Sequence, residues 1–235
     1  MTVSDEIDSP KSAQALTETQ VQQFIRDGFV KVEHAFPREL AEEARAIFWK
    51  DLRLHGCLPD DPGAWTQPVV RLGMYQQKPV VAAANTPVLH AAFDQLAGPG
   101  CWLPCMSVGT LPVRFPSPGQ PGDTGWHVDA SFGHEAADFM EWRINIRSRG
   151  RALLILFLFS DVGEDDAPTR IRAGSHRDMA RALAPAGEAG LSLRDLIPHI
   201  AETSVRPEVL ATGNAGTVYL CHPFLVHSAQ MHRGF

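Results

Sequence analysis

Apolar residues recur at helical spacing early in the chain and at strand spacing later. Over residues 17–27, Val21, Phe24 and Ile25 form one apolar face. Thr17 and Gln20 have the spacing of a capping box, and Gly28 stands where a left-handed terminating residue belongs. Residues 29–32 then read as a short strand. A second helix is predicted over 37–52, opened by Pro37 and turning Leu40, Ala44, Ile47 and Phe48 inward, and a third over 87–96. Beyond residue 100, short apolar runs alternate with Gly, Pro and Asp clusters. Strands are predicted at 111–115, 126–128, 142–147, 152–159, 169–173 and 217–221, a spacing that suits a β-sandwich or barrel. Arg143-Ile144-Asn145-Ile146-Arg147 alternates strictly, and Arg149-Gly150 predicts a turn making a hairpin with 152–159. Residues 192–200 predict a short helix inside an insertion, after a flexible stretch at 184–190. The expected layout is one domain over 1–235, mainly β with flanking α-helices, behind a disordered lead-in at 1–15.

Composition narrows the class. With 235 residues, 44% hydrophobic and 20% charged, the chain can bury a full core without staples. A net charge of -6 argues against nucleic acid or an anionic membrane as partner. The longest apolar run, 152–159, is far short of the ~20 residues of a membrane span. The first residues lack the basic and apolar regions of a secretory signal. Cys57, Cys101, Cys105 and Cys221 show no paired metal pattern and read as reduced thiols, which favours the cytoplasm. The expected partner is a small molecule; the oligomeric state is left open.

The chemistry concentrates in Gly125-Trp126-His127-Val128-Asp129. Residues i and i+2 of a strand share a face, so His127 and Asp129 project together. A third ligand must come from a distant strand, and His222 and His227 compete for that place. Two imidazoles and one carboxylate on one side of an octahedral ion make the facial triad of non-haem Fe(II) oxygenases. The three positions left open suit a bidentate 2-oxo acid and O₂. No G-x-S-x-G, P-loop or G-x-G-x-x-G motif points elsewhere.

Four segments carry a resemblance: LTETQVQQFIRDGFV, GWHVDASF, IRAGSH and GTVYLCHPFLVHSAQ. Together, and in this order, they resemble the phytanoyl-CoA dioxygenase (PhyH-like) family of Fe(II)/2-oxoglutarate oxygenases. GWHVD is similar to the family's H-x-D, IRAGSH to its P-G-S-H turn with Ala173 in place of Pro, and the last segment to its distal-histidine strand. The resemblance implies a double-stranded β-helix (jelly-roll, cupin-like) core. It implies Fe(II), 2-oxoglutarate and O₂ as cofactors, and hydroxylation of an unactivated C–H bond with release of succinate and CO₂. It favours His227 over His222. Asp129 disfavours halogenation, since related halogenases replace that carboxylate with Gly or Ala. In the family an Arg about ten residues past the distal His clamps the 2-oxoglutarate C5 carboxylate, whereas Arg233 lies six residues past His227. Three alternatives follow: Arg233 substitutes, a final strand lies beyond Phe235, or 2-oxoglutarate is not used in the usual way.

Other residues have weaker claims. Thr169 and Ser228 are candidate hydrogen-bond donors to the cosubstrate. Arg143 and Asn145, with Arg147, are a candidate polar mouth for substrate, or else a solvated hairpin face. His176 is expected to organise a turn, and Trp126 to point away from the metal. Asp161, Glu164, Asp165 and Asp166 read as a solvated acidic turn, since their spacing is not that of an EF-hand.

Overall fold

The computed structural model describes residues 15–234. The lead-in expected at 1–15 therefore lies outside the described residues except for Ala15. That residue is held in place: the backbone N–H groups of Ala15 and Leu16 both donate to Gln95 Oε1, at 3.0 and 2.8 Å.

Helix α1 (Glu18–Asp27) starts and stops where its sequence says. The Thr17–Gln20 capping box is formed, and Gly28 closes the helix at φ +83°. Phe24 is buried, but Ile25, expected on the same face, is 52% exposed. Strand β1 (Phe29–Val32) follows directly, then α2 (Arg38–Leu54), which buries Ala41, Ala44, Phe48 and Leu52 at i, i+3, i+4 spacing. Strand β2 (Val69–Leu72) pairs antiparallel with β3 (Leu111–Arg114), and between them lie α3 (Lys78–Ala84) and α4 (Pro87–Ala97). The C-terminal part holds β4 (Arg143–Ile144), β5 (Leu154–Phe157), β6 (Arg170–Arg172), α5 (Ser175–Leu183), β7 (Leu191–Ser192), α6 (Leu193–Glu202), β8 (Glu208–Leu210), β9 (Val218–Cys221) and β10 (His227–Ser228).

Two three-stranded antiparallel sheets carry the centre of the molecule, in the orders β1-β9-β5 and β10-β6-β8. Period-two alternation gives the first sheet two apolar faces. Val30, Val32, Val218, Leu220, Ile155 and Phe157 turn outward into a core shared with the helices of the N-terminal half. Phe29, Tyr219, Cys221, Leu154 and Leu156 turn the other way, onto Ile171, Val209 and Leu225 of the second sheet and its neighbouring loop. The result is a helical layer on a sheet on a second sheet. Helices outweigh strands, so the fold is mixed α/β rather than mainly β.

The expected hairpin between 142–147 and 152–159 does not form. β4 is two residues long and pairs with β7, while β5 pairs with β9. The chain leaves β4 because Asn145 curls it: the buried side chain accepts from Arg149 N at 3.2 Å, and Ser148 takes φ +50°. Beyond β5, opposite β9, no strand of the described residues is paired.

Three of the sequence segments singled out above meet at Gly28. His222 N donates to Gly28 O, and Gly174 N donates to Asp27 O at 2.7 Å. His176 is buried there against Ile25 O, so it organises this junction as its turn position suggested. A Cβ at Gly28 would stand 2.4 Å from His176 Nδ1 and 2.9 Å from Leu225 Cδ1. Gly56 has the same backbone conformation, φ +81°, with nothing near it. Gly28→Ala should therefore cost about 2–3 kcal/mol in urea unfolding, against roughly 1 kcal/mol or less for Gly56→Ala. Equal losses would show that the junction gives way easily.

Candidate metal centre

His127 and His227 are direct cross-strand neighbours. His127 N donates to His227 O at 2.9 Å and His227 N donates to His127 O at 3.0 Å. Residues that exchange both bonds project to the same side of the ladder. His227 in turn stands opposite Ile171 of β6, whose side chain lies between the two sheets. The pair is thus aimed into the inter-sheet space. Asp129, two residues past His127, joins it.

The segment leading to His127 is fixed from several sides. Arg114 grips Asp123 with two bonds, 3.1 and 2.8 Å, and Arg71 adds a third at 2.6 Å. These cations outweigh burial and hold the Asp123 carboxyl below its ordinary range. Thr124 O accepts from Ser228 Oγ at 2.7 Å and from Arg170 at 3.1 Å. Trp126 faces away from the centre, beneath the guanidinium groups of Arg170 and Arg172 at 4.7 and 4.0 Å from its ring.

Each imidazole is oriented in the same way. His127 Nδ1 lies 2.9 Å from Gly125 O, and His227 Nδ1 lies 3.0 Å from Leu225 O. A carbonyl only accepts, so each Nδ1 carries the proton and each Nε2 keeps its lone pair. Both Nε2 atoms are 3.7 Å from Asp129 Oδ1. One donor atom from each of the three residues falls within 4.8 Å of the others, close enough to share one cation. Burial pushes the His227 imidazole below its ordinary pKa, which keeps it neutral. Burial alone would raise the Asp129 carboxyl, but its neighbours outweigh it, among them the Arg151 guanidinium that hydrogen-bonds it, and the net shift is downward. A neutral His227 and an ionised Asp129 are in the protonation states a divalent cation requires of its ligands. The donor set fits Fe(II).

His222 does not join them. Its ring packs against Phe24, Phe224 and His176, and its Nδ1 accepts from Phe224 N at 3.1 Å. Burial, then His176, depresses its pKa to about 4.

The remaining candidates are dispersed. Ser228 is opposite Arg170 in the ladder, on the face turned away from His227, and its hydroxyl donates to Thr124 O and Ala229 O. A cosubstrate at the metal is out of its reach because strand parity sends consecutive side chains to opposite faces. Thr169, one residue before β6 and opposite buried Ala211, has the parity of Ile171. Arg233 is exposed, and its backbone N–H is tied to Asp165 O at 2.7 Å. Arg143 donates to Ala189 O and Gly190 O, and buried Asn145 donates to Glu188 O. Arg143 and Asn145 thus dock the backbone of the insertion, while Arg147 stays exposed and pairs with the Glu188 carboxylate at 2.6 Å. Asp161 is likewise engaged, by Arg38 and Ala215 N, and its pKa falls to about 2.

One residue at the centre had no signal in the sequence. Arg151 Nη1 donates to Asp129 Oδ2 at 3.0 Å, and its Nη2 donates to Ala130 O at 3.1 Å. It stands 22 positions from Asp129, beyond any local pattern; only the placement of β5 brings it there.

His227→Ala should weaken Co(II) or Zn(II) binding about a hundredfold or more, and His222→Ala should leave it within about threefold, by isothermal titration. The reverse order would move the third ligand to His222.

Known structures share this fold at low identity. The epimerase SnoN, crystallised with Fe3+, alpha ketoglutarate and nogalamycin RO, aligns at TM-score 0.54 and 18% identity, over 92% of this chain and 78% of its own. The carbocyclase SnoK from nogalamycin biosynthesis aligns at 0.51 and 17%, over 96% and 82%. EctD from S. alaskensis, crystallised with 2-oxoglutarate and 5-hydroxyectoine, aligns at 0.57 and 19%, over 94% and 73%. No curated protein sequence matches the chain. The family description phytanoyl-CoA dioxygenase (PhyH) matches residues 4–234, and the chain belongs to that family.

Proposed function

We propose that this protein is an Fe(II)/2-oxoglutarate-dependent oxygenase acting on a small molecule, as one domain with a jelly-roll core, and that His127, Asp129 and His227 hold the iron. The observation that carries the reading is the orientation of the donors: two Nε2 lone pairs and one carboxylate oxygen converge from two strands locked together by reciprocal hydrogen bonds. SnoN and EctD, crystallised with iron or 2-oxoglutarate, support the cosubstrate assignment. The free cysteines suit a reducing compartment such as the cytoplasm, and among the described residues no helix is long and apolar enough to cross a membrane.

When bound, ferrous iron would supply the redox centre at which O₂ oxidises the 2-oxo acid and the substrate, one oxygen atom passing to succinate as the C1 carboxyl leaves as CO₂ and the other to the hydroxylated product. The protein's own part is positional. The Nδ1–H bonds to Gly125 O and Leu225 O prevent the imidazoles from turning, so both Nε2 atoms stay inward. Ile171, Leu154 and Leu156 give the inter-sheet space beside the centre apolar walls. Thr169, one residue before β6 and with the parity of Ile171, is the candidate hydrogen-bond donor to the oxo acid.

Fe(II) and 2-oxoglutarate added without oxygen should give a weak visible charge-transfer band. In air the protein should then release succinate. Asp129→Ala should abolish the band and reduce succinate to background. Tight Fe(II) binding with neither band nor succinate would instead indicate a metalloprotein that does not use the oxo acid.

A further inference from the structure

Asp129 presents its two oxygens to different partners. Oδ1 is equidistant from the two histidines, 3.7 Å from each Nε2. Oδ2 is held by Arg151 Nη1 at 3.0 Å. The second arm of the same guanidinium reaches Ala130 O at 3.1 Å, so the planar fork spans the Asp129 side chain and the next peptide. Rotating the carboxylate to offer both oxygens to a cation would break the first of these bonds.

Arg151 is itself anchored. Its N–H donates to Ser148 O at 3.0 Å, and Ser148 Oγ donates to Arg151 O at 2.6 Å. Gly150 supplies the left-handed step before it, at φ +81°, where a Cβ would come 3.1 Å from Ser131 O. Both backbone polar groups of Arg151 are thus fixed on one tight turn, whose last residue enters the strand run that leads to β5. Arg151 and Asp129 are both only partly exposed, 26% and 34% at the side chain, so solvent screens the pair incompletely.

We propose that Arg151 is a positioning residue for the metal-ligating carboxylate: by engaging Oδ2 it leaves Oδ1 alone to face the cation and makes Asp129 a single-oxygen ligand. This rests on the iron-site reading above. A single-oxygen carboxylate keeps three coordination positions open on a six-coordinate ion, as the oxo acid and O₂ together need. A carboxylate free to bind through both oxygens would fill one of them.

Two roles for Arg151 predict opposite signs. A bare countercharge beside a cation site repels the cation, so removing it should tighten metal binding. A positioning group aims the ligand, so removing it should weaken binding, by about 10–100-fold for groups of this kind. Co(II) separates them, read by isothermal titration and by its d–d absorption, which reports coordination number. Arg151→Gln should bind Co(II) about 10–100-fold more weakly and show a changed d–d spectrum. Arg151→Lys, which keeps the charge but loses the fork, should recover part of the affinity. Metal-free melting temperatures should change little in either variant. Unchanged or tighter Co(II) binding with the wild-type spectrum would overturn the proposal. So would a lowered metal-free melting temperature with metal affinity intact, the mark of a merely structural tie. If Arg151→Gln fails to fold, Arg151→Lys carries the same test, and a wild-type affinity and spectrum there overturns it. Failure of the wild-type protein to bind Co(II) would sink the metal centre and this inference together. Wild-type binding with unaffected variants would sink this inference alone.

Discussion

His127 and His227 exchange a reciprocal pair of backbone hydrogen bonds, and the arrangement of the centre depends on it. A cross-strand pair of this kind fixes the separation of two side chains and sends both to one face. It joins the short segment bearing H-x-D to β10, and through β10 to β6 and β8. The two imidazoles are then aimed alike by equivalent bonds, each to the carbonyl two residues upstream. Sliding either strand by one residue would turn one histidine to the opposite face and dissolve the site.

The surrounding structure holds that pair still. The second sheet packs on the inner face of β1-β9-β5, and the outer face of that sheet is covered by the helical layer. The Gly28 junction ties the end of α1 to the turn before α5 and to the turn before β10. A motif at the N-terminus far from the centre thus supports the strand that supplies its last ligand. The insertion is fastened separately, through Arg143 and Asn145 to the backbone at 188–190.

The sequence was most legible where local rules decide. The capping box and terminating glycine marked α1, and i, i+2 parity paired His127 with Asp129. It was least legible where partners come from afar. Strict alternation at 143–147 was real, but the polar stripe met an insertion, and Asn145 and Ser148 ended the strand early. α5 escaped notice because its buried face is made of His176, Met179 and Leu183, with few apolar residues to mark a period. β8 and β10 are too short to show one. Strand parity could not choose between His222 and His227, because Pro223 interrupts it; only the family resemblance favoured His227. Arg151 left no trace, since its bond to Asp129 spans a loop and a turn that no local pattern encodes.

That bond also sets the electrical character of the centre. The guanidinium and the Asp129 carboxylate cancel, so this ion pair carries no net charge. A divalent cation bound there through neutral imidazoles would leave the centre, with Arg151 counted in, doubly positive. The partner that completes neutrality is a dianion: a monoanionic acid would leave the pocket positive, and a neutral molecule more so. A dicarboxylic oxo acid carries that charge, so Arg151 would act as a selectivity filter on the molecule that shares the metal, without touching it.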